Sequence, residues 1–367
     1  MALLFPRWFQ YSFYLACSWL WCIGAFFPLI ILRDYGIGAL IGFTTFNVVG
    51  AAAFAFYFTE KKRRLFIQQH QFMLNIFSGV TAIFQIFFVA WLSQLLGMYW
   101  LLPLMLSLAL LFYMGNRLVT VCSIALYFIS LIFFAIFSNS ATIDWSHQLQ
   151  LGWTHVLLPL AMGFMFSPYL DLTFHRAFQQ SEKPKFTFVL GFGVFFLSLV
   201  CFVFAYSSEL TKLFFDGDTL QKALYPIVAF IILQTAFTLA VHVREYKRFN
   251  NSQDRPIKLW ICLSVASLII SLFMMNINDF KIPLISSANV GEIIYKCFLF
   301  FYGLVCPIYL LLHTNRRYMV FTLVCISPFY AIGFLIGGQH IYTLSIAMLI
   351  LFCTAAIVRF KKSTPQT

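Results

Sequence analysis

The feature that most limits what this chain can become is repetition. Apolar stretches of about 20 residues, the length a helix needs to cross roughly 30 Å of hydrocarbon, return from one end of the sequence to the other. A segment in lipid must close its backbone hydrogen bonds internally, and for a lone stretch the helix is the local solution. The gaps between stretches reach only about a dozen residues, too few for a domain with its own core. Residue usage agrees: 62% of the chain is hydrophobic, 20% aromatic and only 10% charged. The expectation is an all-α, polytopic membrane helical bundle, a single integral membrane domain over residues 1–367.

Twelve spans are expected, near 11–32, 36–58, 72–95, 98–115, 118–137, 152–173, 187–208, 223–243, 259–276, 290–312, 319–337 and 340–358. The junctions at 33–36, 96–98 and 116–117 are short enough for two neighbouring spans to form one long helix or a re-entrant pair. The first apolar run is full length with no small-residue cleavage site, so an uncleaved first span is expected.

Charge tests the count, because Lys and Arg should alternate sides. With the N-terminus inside, the cytoplasmic segments carry Arg7; Lys61 to Arg64; Arg117; Arg176, Lys183 and Lys185; Arg244, Lys247, Arg248, Arg255 and Lys258; Arg316 and Arg317; and Arg359, Lys361 and Lys362. These are 19 of the 24 basic residues. Arg33, Lys212, Lys222 and Lys281 fall on the other side, and Lys296 falls within a span. The net charge of +12 therefore follows from topology and points to no nucleic-acid partner. The expected location is the plasma (bacterial inner) membrane with both termini cytoplasmic. The nine cysteines lie in apolar runs without a C-x-x-C pair, which suits small packing residues.

Polar residues inside spans are the next informative signal, since each needs a partner or a polar path. Gly38 and Gly42 make a small-x-x-x-small pair for close helix approach. Asn47 needs a hydrogen-bond partner in mid-span. Ser78, Thr81 and Gln85 share one helix face in the third span. Gln234, Thr235 and Thr238 form a similar stripe in the eighth. Glu292 and Lys296 stand four apart with the acid first, the preferred order for a helical ion pair. The histidines form no H-x-x-x-H pair or Ser/His/Asp set, and His155 and His242 stand isolated.

The most unusual stretch runs from Gly163 to Lys185, where an apolar run meets Ser167-Pro168 and then Asp171. Proline lacks an amide hydrogen and clashes with the preceding turn, so a helix through Pro168 must kink or break. Such a break at membrane depth is tolerated against protein or a water-filled cavity. Spans one to five and six to ten also fit an inverted duplication, with two C-terminal helices beyond it. Its halves are 1–137 and 152–312, followed by 319–358. In that arithmetic Gly24-Ala25 in the first span corresponds to Gly163, Ser167 and Pro168 in the sixth, and Gln85 corresponds to Gln234.

Phe166-Ser-Pro-Tyr-Leu-Asp171, followed by His175-Arg176-Ala177 and a short charged loop, resembles the sixth core helix and following loop of sodium:solute symporters. Those proteins have a LeuT-like five-plus-five fold. His175 stands where that pattern has Gln. The resemblance implies a secondary transporter alternating access around interrupted helices one and six. Phe166 and Tyr169 would face substrate beside Gly24, Ala25, Gln85, Ser167 and Gln234. Asp171 and Arg176 would hold the inner gate or the following loop, and Arg33 with Glu292 and Lys296 an outer gate. Thr235 and Thr238 would be candidate ligands for a coupling sodium ion; a proton is the other coupling ion considered.

No other cofactor is expected and no catalytic residue stands out. With few candidate charges besides Asp171, the expected partner is a small neutral or zwitterionic solute in a bilayer-embedded site. A membrane-embedded lipid- or polyisoprenoid-processing enzyme is a second class, against which the short, acid-poor loops argue. A non-transporting sensor or assembly subunit with a transporter-like bundle is a third.

Overall fold

The computed structural model describes residues 5–96, 115–137, 152–216, 222–250, 290–337 and 340–363, with isolated positions at 105, 108–109, 258, 262, 265–266 and 269. The expected spans at 98–115 and 259–276 lie almost wholly outside the described residues, as do Pro103, His147 and Lys281. All regular structure among the described residues is helical, with no strand.

The helices gather into two compact units, each assembled from three segments of chain. The first comprises Met1–Ile30, Ala51–Ser146 and Tyr169–Asn276. It holds α1 (Arg7–Trp19), which widens into a π-helical turn at Leu20–Gly24. α2 (Phe27–Tyr57) gives both its ends to this unit. α3 (Glu60–Gln69), α4 (Gln71–Leu96) and α5 (Asn116–Phe137) follow. The second unit comprises Ile31–Gly50, Ile277–Thr367 and His147–Pro168, the last containing α6 (Thr154–Phe166).

The chain then returns to the first unit as α7 (Leu172–Gln180), α8 (Pro184–Leu190), a π turn at Gly191–Phe196, and α9 (Leu197–Ala205). α10 (Ser207–Thr211) and α11 (Tyr225–Phe249) follow among the described residues. The second unit ends with α12 (Val290–Phe300), α13 (Cys306–Leu312), α14 (Arg316–Ala331) and α15 (Thr343–Ser363). Several helices begin as local chemistry dictates. Pro28, Pro184 and Pro226 sit in first turns, where a missing N–H costs nothing. Thr59 and Asn315 cap α3 and α14 by accepting from Lys62 N and Tyr318 N.

Among the described residues, eight helices are long and apolar enough to cross a membrane, or nine if one bent pair counts as a span. Their outward positions carry large apolar side chains, such as Phe321 and Val324 on α14 and Leu349 on α15. This is the build of an integral multi-pass membrane protein. The 33–36 junction lies inside α2, where Gly36 takes φ +80°, a left-handed value open to glycine, and kinks the helix.

Because lipid tails are as apolar as the side chains they replace, packing in such units rests on dispersion and close backbone approach. In the first unit Phe13 stacks on Phe195 at 4.0 Å, and Phe54 on Phe188 at 5.1 Å. In the second, a side-chain carbon at Gly50 would come within 2.5 Å of the Phe164 carbonyl oxygen, and one at Gly163 within 3.2 Å of Gly303 Cα. Gly42 faces the Leu157 side chain in the same way.

Candidate functional site

The first interruption begins where α1 widens at Leu20–Gly24; Phe26 then turns before α2 starts. A π turn shifts the ladder by one residue and changes which donor each nearby carbonyl meets. Thr238 on α11 donates its hydroxyl to the Cys17 carbonyl at 2.9 Å, binding the two helices at this point. Gly24 is pressed against Phe196, and Ala25 is completely buried. Thr235 instead donates to Ile231 O on its own helix at 2.8 Å. The two hydroxyl protons are thus committed to carbonyls on different helices.

Around this point lie buried amides with spare hydrogen-bonding capacity. Gln234 donates to Ser130 Oγ at 3.3 Å, while its Oε1 has no partner among the described residues. Gln85 on α4 is fully buried, and neither of its amide atoms has one. Ser78 Oγ is in the same state, whereas Thr81 bonds back to Phe77 O. α4 packs along α11, and Asn250 Nδ2 donates to Asn75 Oδ1 at 2.7 Å, pinning the end of one helix to the start of the other.

The second interruption falls where Pro168 requires it. After α6 the chain tightens into a 3-10 turn at Ser167–Leu170, Asp171 is extended (φ −89°, ψ 117°), and α7 restarts at Leu172. Asp171 is completely buried and caps α7: its Oδ1 accepts from Thr173 N at 2.7 Å and from Thr173 Oγ1 at 2.8 Å. Its Oδ2 has no hydrogen bond among the described residues and faces His242 Nε2 on α11 at 3.7 Å. His242 is equally buried; the Ser18 carbonyl is its other polar neighbour, without a hydrogen bond of good geometry.

His175 Nε2 donates to the carbonyl of Tyr169, 2.9 Å away, with its ring set among Phe54, Phe58 and Phe66. Tyr169 is half-buried against Phe54 and Tyr57. Arg176 lies 3.9 Å from Glu245, which Arg248 also holds at 2.6 Å.

In the second unit Ser167 is fully buried with its hydroxyl unpartnered among the described residues, and Phe166 is half-buried. Phe166 lines an apolar groove of about 630 Å³ with Met162, Leu311, Phe352 and Arg359. The same unit gathers four charges. Arg33 donates to both oxygens of Glu292, at 2.5 and 3.1 Å, and to Asp34 Oδ1 at 2.7 Å. Lys296 Nζ reaches Asp34 Oδ2 at 2.9 Å and Glu292 Oε1 at 3.2 Å. Two acids and two bases close a neutral ring in which the Glu292 side chain is 1% exposed.

The structure thus joins Arg33, Glu292 and Lys296 in one cluster, and sets Gln234 and Thr238 against the interrupted α1. Sequence reasoning missed Asp34 and His242. Asp34 adjoins Arg33 inside an apolar run, and His242 extends the stripe of Gln234 and Thr238 by one further turn, so both carried a readable signal. No protein-family model matches the chain, and no curated protein or solved structure matches it.

Proposed function

We propose that this protein is a secondary active transporter, an ion-coupled, symporter-like carrier of a small neutral or zwitterionic solute. On this reading it resides in the plasma membrane with cytoplasmic termini, and its helices form two inverted five-helix repeats of LeuT-like kind followed by two more. The observation that supports it best is the polar interior of the first unit. Gln85, Gln234, Asp171 and His242 are completely buried on helices beside an interrupted α1, with hydrogen-bonding capacity left over among the described residues. Within a bilayer such groups are expensive and mark solute or ion pathways. A polar solute would meet the amides, and its departure would restore the cost, which is how binding is linked to a change of state.

The four-charge ring of Arg33, Asp34, Glu292 and Lys296 is the proposed outer gate; at the inner end Arg176 reaches Glu245 rather than Asp171, so the proposed inner gate is the Arg176–Glu245 contact beside Asp171. The test is uptake of radiolabelled amino acids, sugars and nucleosides into proteoliposomes under imposed sodium or proton gradients. Accumulation above equilibrium is expected, with Gln85→Ala and Gln234→Ala raising the half-saturating concentration. An absence of both accumulation and exchange across the panel would overturn the reading.

A further inference from the structure

We infer that the Asp171–His242 pair is the proton-binding site of this protein and that the ion coupled to transport is a proton. The inference rests on the transporter reading for its role, but the site itself stands on geometry. Asp171 Oδ2 and His242 Nε2 face each other at 3.7 Å, both completely buried, and neither atom has a hydrogen bond among the described residues. The pair can bind one proton beyond those that an ionised Asp171 and a neutral His242 carry. Placed on either atom it makes O–H···N or O⁻···H–N⁺ and draws the heavy atoms toward roughly 2.7–2.9 Å. Removed, it leaves one net negative charge with no bonded counter-charge, a costly state in an apolar interior. The loaded pair is net neutral and the unloaded pair carries −1, so a single proton is gained from water on one side and given up on the other.

Of the titratable groups on the elements packed around the pair, Tyr14 on α1 lies within electrostatic range of Asp171. Tyr14 in turn neighbours Tyr11, Arg176 on α7, and Arg244 and Glu245 on α11, and Arg248 lies near Tyr11. His175 on α7 faces Arg63, Glu60 and His70 instead. α4 brings no titratable side chain, and α5 only Arg117 as a charge, in its first turn. His175 already donates to Tyr169 O, and Arg176 lies against Glu245, so neither neutralises the pair. A cavity of about 10 Å³, near the size of one water position, is lined by Tyr11, Tyr14, Thr120, Arg176, Arg244 and Glu245. The Tyr14 hydroxyl is buried with no partner among the described residues, within electrostatic range of both Glu245 and Asp171. Glu245, this cavity and Tyr14 therefore form a polar patch toward the end of α11, with Tyr14 in electrostatic range of Asp171. Because Asp171 also begins α7, shortening or releasing its contact with His242 moves the start of α7 against α11, which ties the proton to the shape of this unit.

The test uses the full chain. Asn is as good a helix cap as Asp, so Asp171→Asn keeps the bond from Thr173 N while removing the titrating oxygen, and His242→Gln keeps a polar side chain. In proteoliposomes, a one-unit pH gradient should drive about tenfold accumulation for one proton per solute. Both variants should lose that accumulation. In purified protein without solute, infrared pH titration should show a titrating band, a protonated carboxyl if the proton rests on Asp171 or an imidazolium if it rests on His242, that is absent from Asp171→Asn and lost or shifted in His242→Gln. Sodium-driven accumulation unaffected by either variant, or an infrared titration that Asp171→Asn leaves unchanged, would overturn the proton site while leaving transport standing. If no solute moves in the wild type under any gradient, the transporter reading falls, and the infrared titration alone decides the site.

Discussion

Removing Glu292 should expose how much the four-charge ring contributes. Its side chain is 1% exposed and accepts two hydrogen bonds from Arg33 and an ion pair from Lys296. Glu292→Gln leaves Arg33 and Lys296 sharing the single carboxylate of Asp34, a ring with net charge +1. Hydrogen bonds to charged groups contribute about 1.5–3 kcal/mol each, and breaking a buried pair costs about 3–5 kcal/mol. Arg33, 21% exposed, can recover part of its hydration, so a destabilisation of about 2–4 kcal/mol is expected.

The double variant Arg33→Gln, Glu292→Gln is more informative than either single. It removes one charge of each sign and leaves Lys296 with Asp34 as a neutral pair at 2.9 Å. The double should therefore be less damaged than the sum of the singles, by about 1–3 kcal/mol of coupling. Equilibrium unfolding in mixed micelles of detergent and SDS, run on all four proteins, gives the cycle directly. Additivity within roughly 0.5 kcal/mol would mean that the ring stores no coupling energy, and the outer-gate proposal would lose its physical basis.

Gly50→Val should cost about 1–3 kcal/mol, the range for overpacking. Its first carbon would sit 2.5 Å from Phe164 O and 2.7 Å from Met165 Cα, backbone atoms that cannot rotate aside; thermal unfolding in detergent reads the loss. Thr238→Val should cost about 0.5–1.5 kcal/mol, the net worth of a hydrogen bond, because it deletes the link to Cys17 O. Thr235→Val, deleting only a bond within its own helix, should cost less in the same unfolding assay. The Arg63 and Arg64 guanidiniums bonded to Glu60 hold its carboxyl down to about 2. A depressed acid stabilises the folded state above the ordinary carboxylate range, and that contribution is lost as pH falls toward about 2. Since the Glu60 side chain is 43% exposed, solvent screening keeps the effect to about 1 kcal/mol or less; an NMR titration of Glu60 and its absence in Glu60→Gln would check the sign.

What the sequence disclosed follows the range of the forces involved. Pro168 announces its break because the missing N–H is a property of one residue, and the chain is indeed broken between Ser167 and Asp171. Gly36 kinks α2 at the expected junction for the same reason, since its φ of +80° is open to glycine. The interruption of the first span was harder to place. The π turn at Leu20–Gly24 lies where Gly24 meets Phe196, a contact set by distant chain. The spacing of Ser78, Thr81 and Gln85 showed that they share a face but not that Thr81 turns back on its own helix. His242 was passed over as isolated because its partner Asp171 lies in another span, and only folding brings Nε2 and Oδ2 to 3.7 Å.

The π turns suggest why the polar groups collect on one side of α1. Among the described residues such turns occur at Leu20–Gly24, Gly191–Phe196, Lys212–Asp216, Phe301–Val305 and Ile332–Ile336, and all but Lys212–Asp216 contain glycine. A π turn widens the helix by an extra residue, and glycine lets a neighbour come close where that widening would otherwise hold it off. In the first unit two of them answer each other. Gly24 in the turn after α1 meets Phe196 in the turn after α8, while Gly191 of that second turn meets the backbone of Ser12 on α1. That side of α1 is therefore closed by ring and backbone contact. The carbonyls near the widened turn that look for other partners face α11 instead, where Thr238 takes Cys17 O and His242 lies beside Ser18 O. On the transporter reading, a seam closed by ring, backbone and satisfied hydroxyl contacts on one face of α1 would anchor the helix while its other face, with unmet polar capacity, changes partners. It follows that Gly191→Ala, which strains only the seam, should lower stability without shifting a carboxyl band assigned to Asp171, whereas a shift in that band would show that the two faces are not independent.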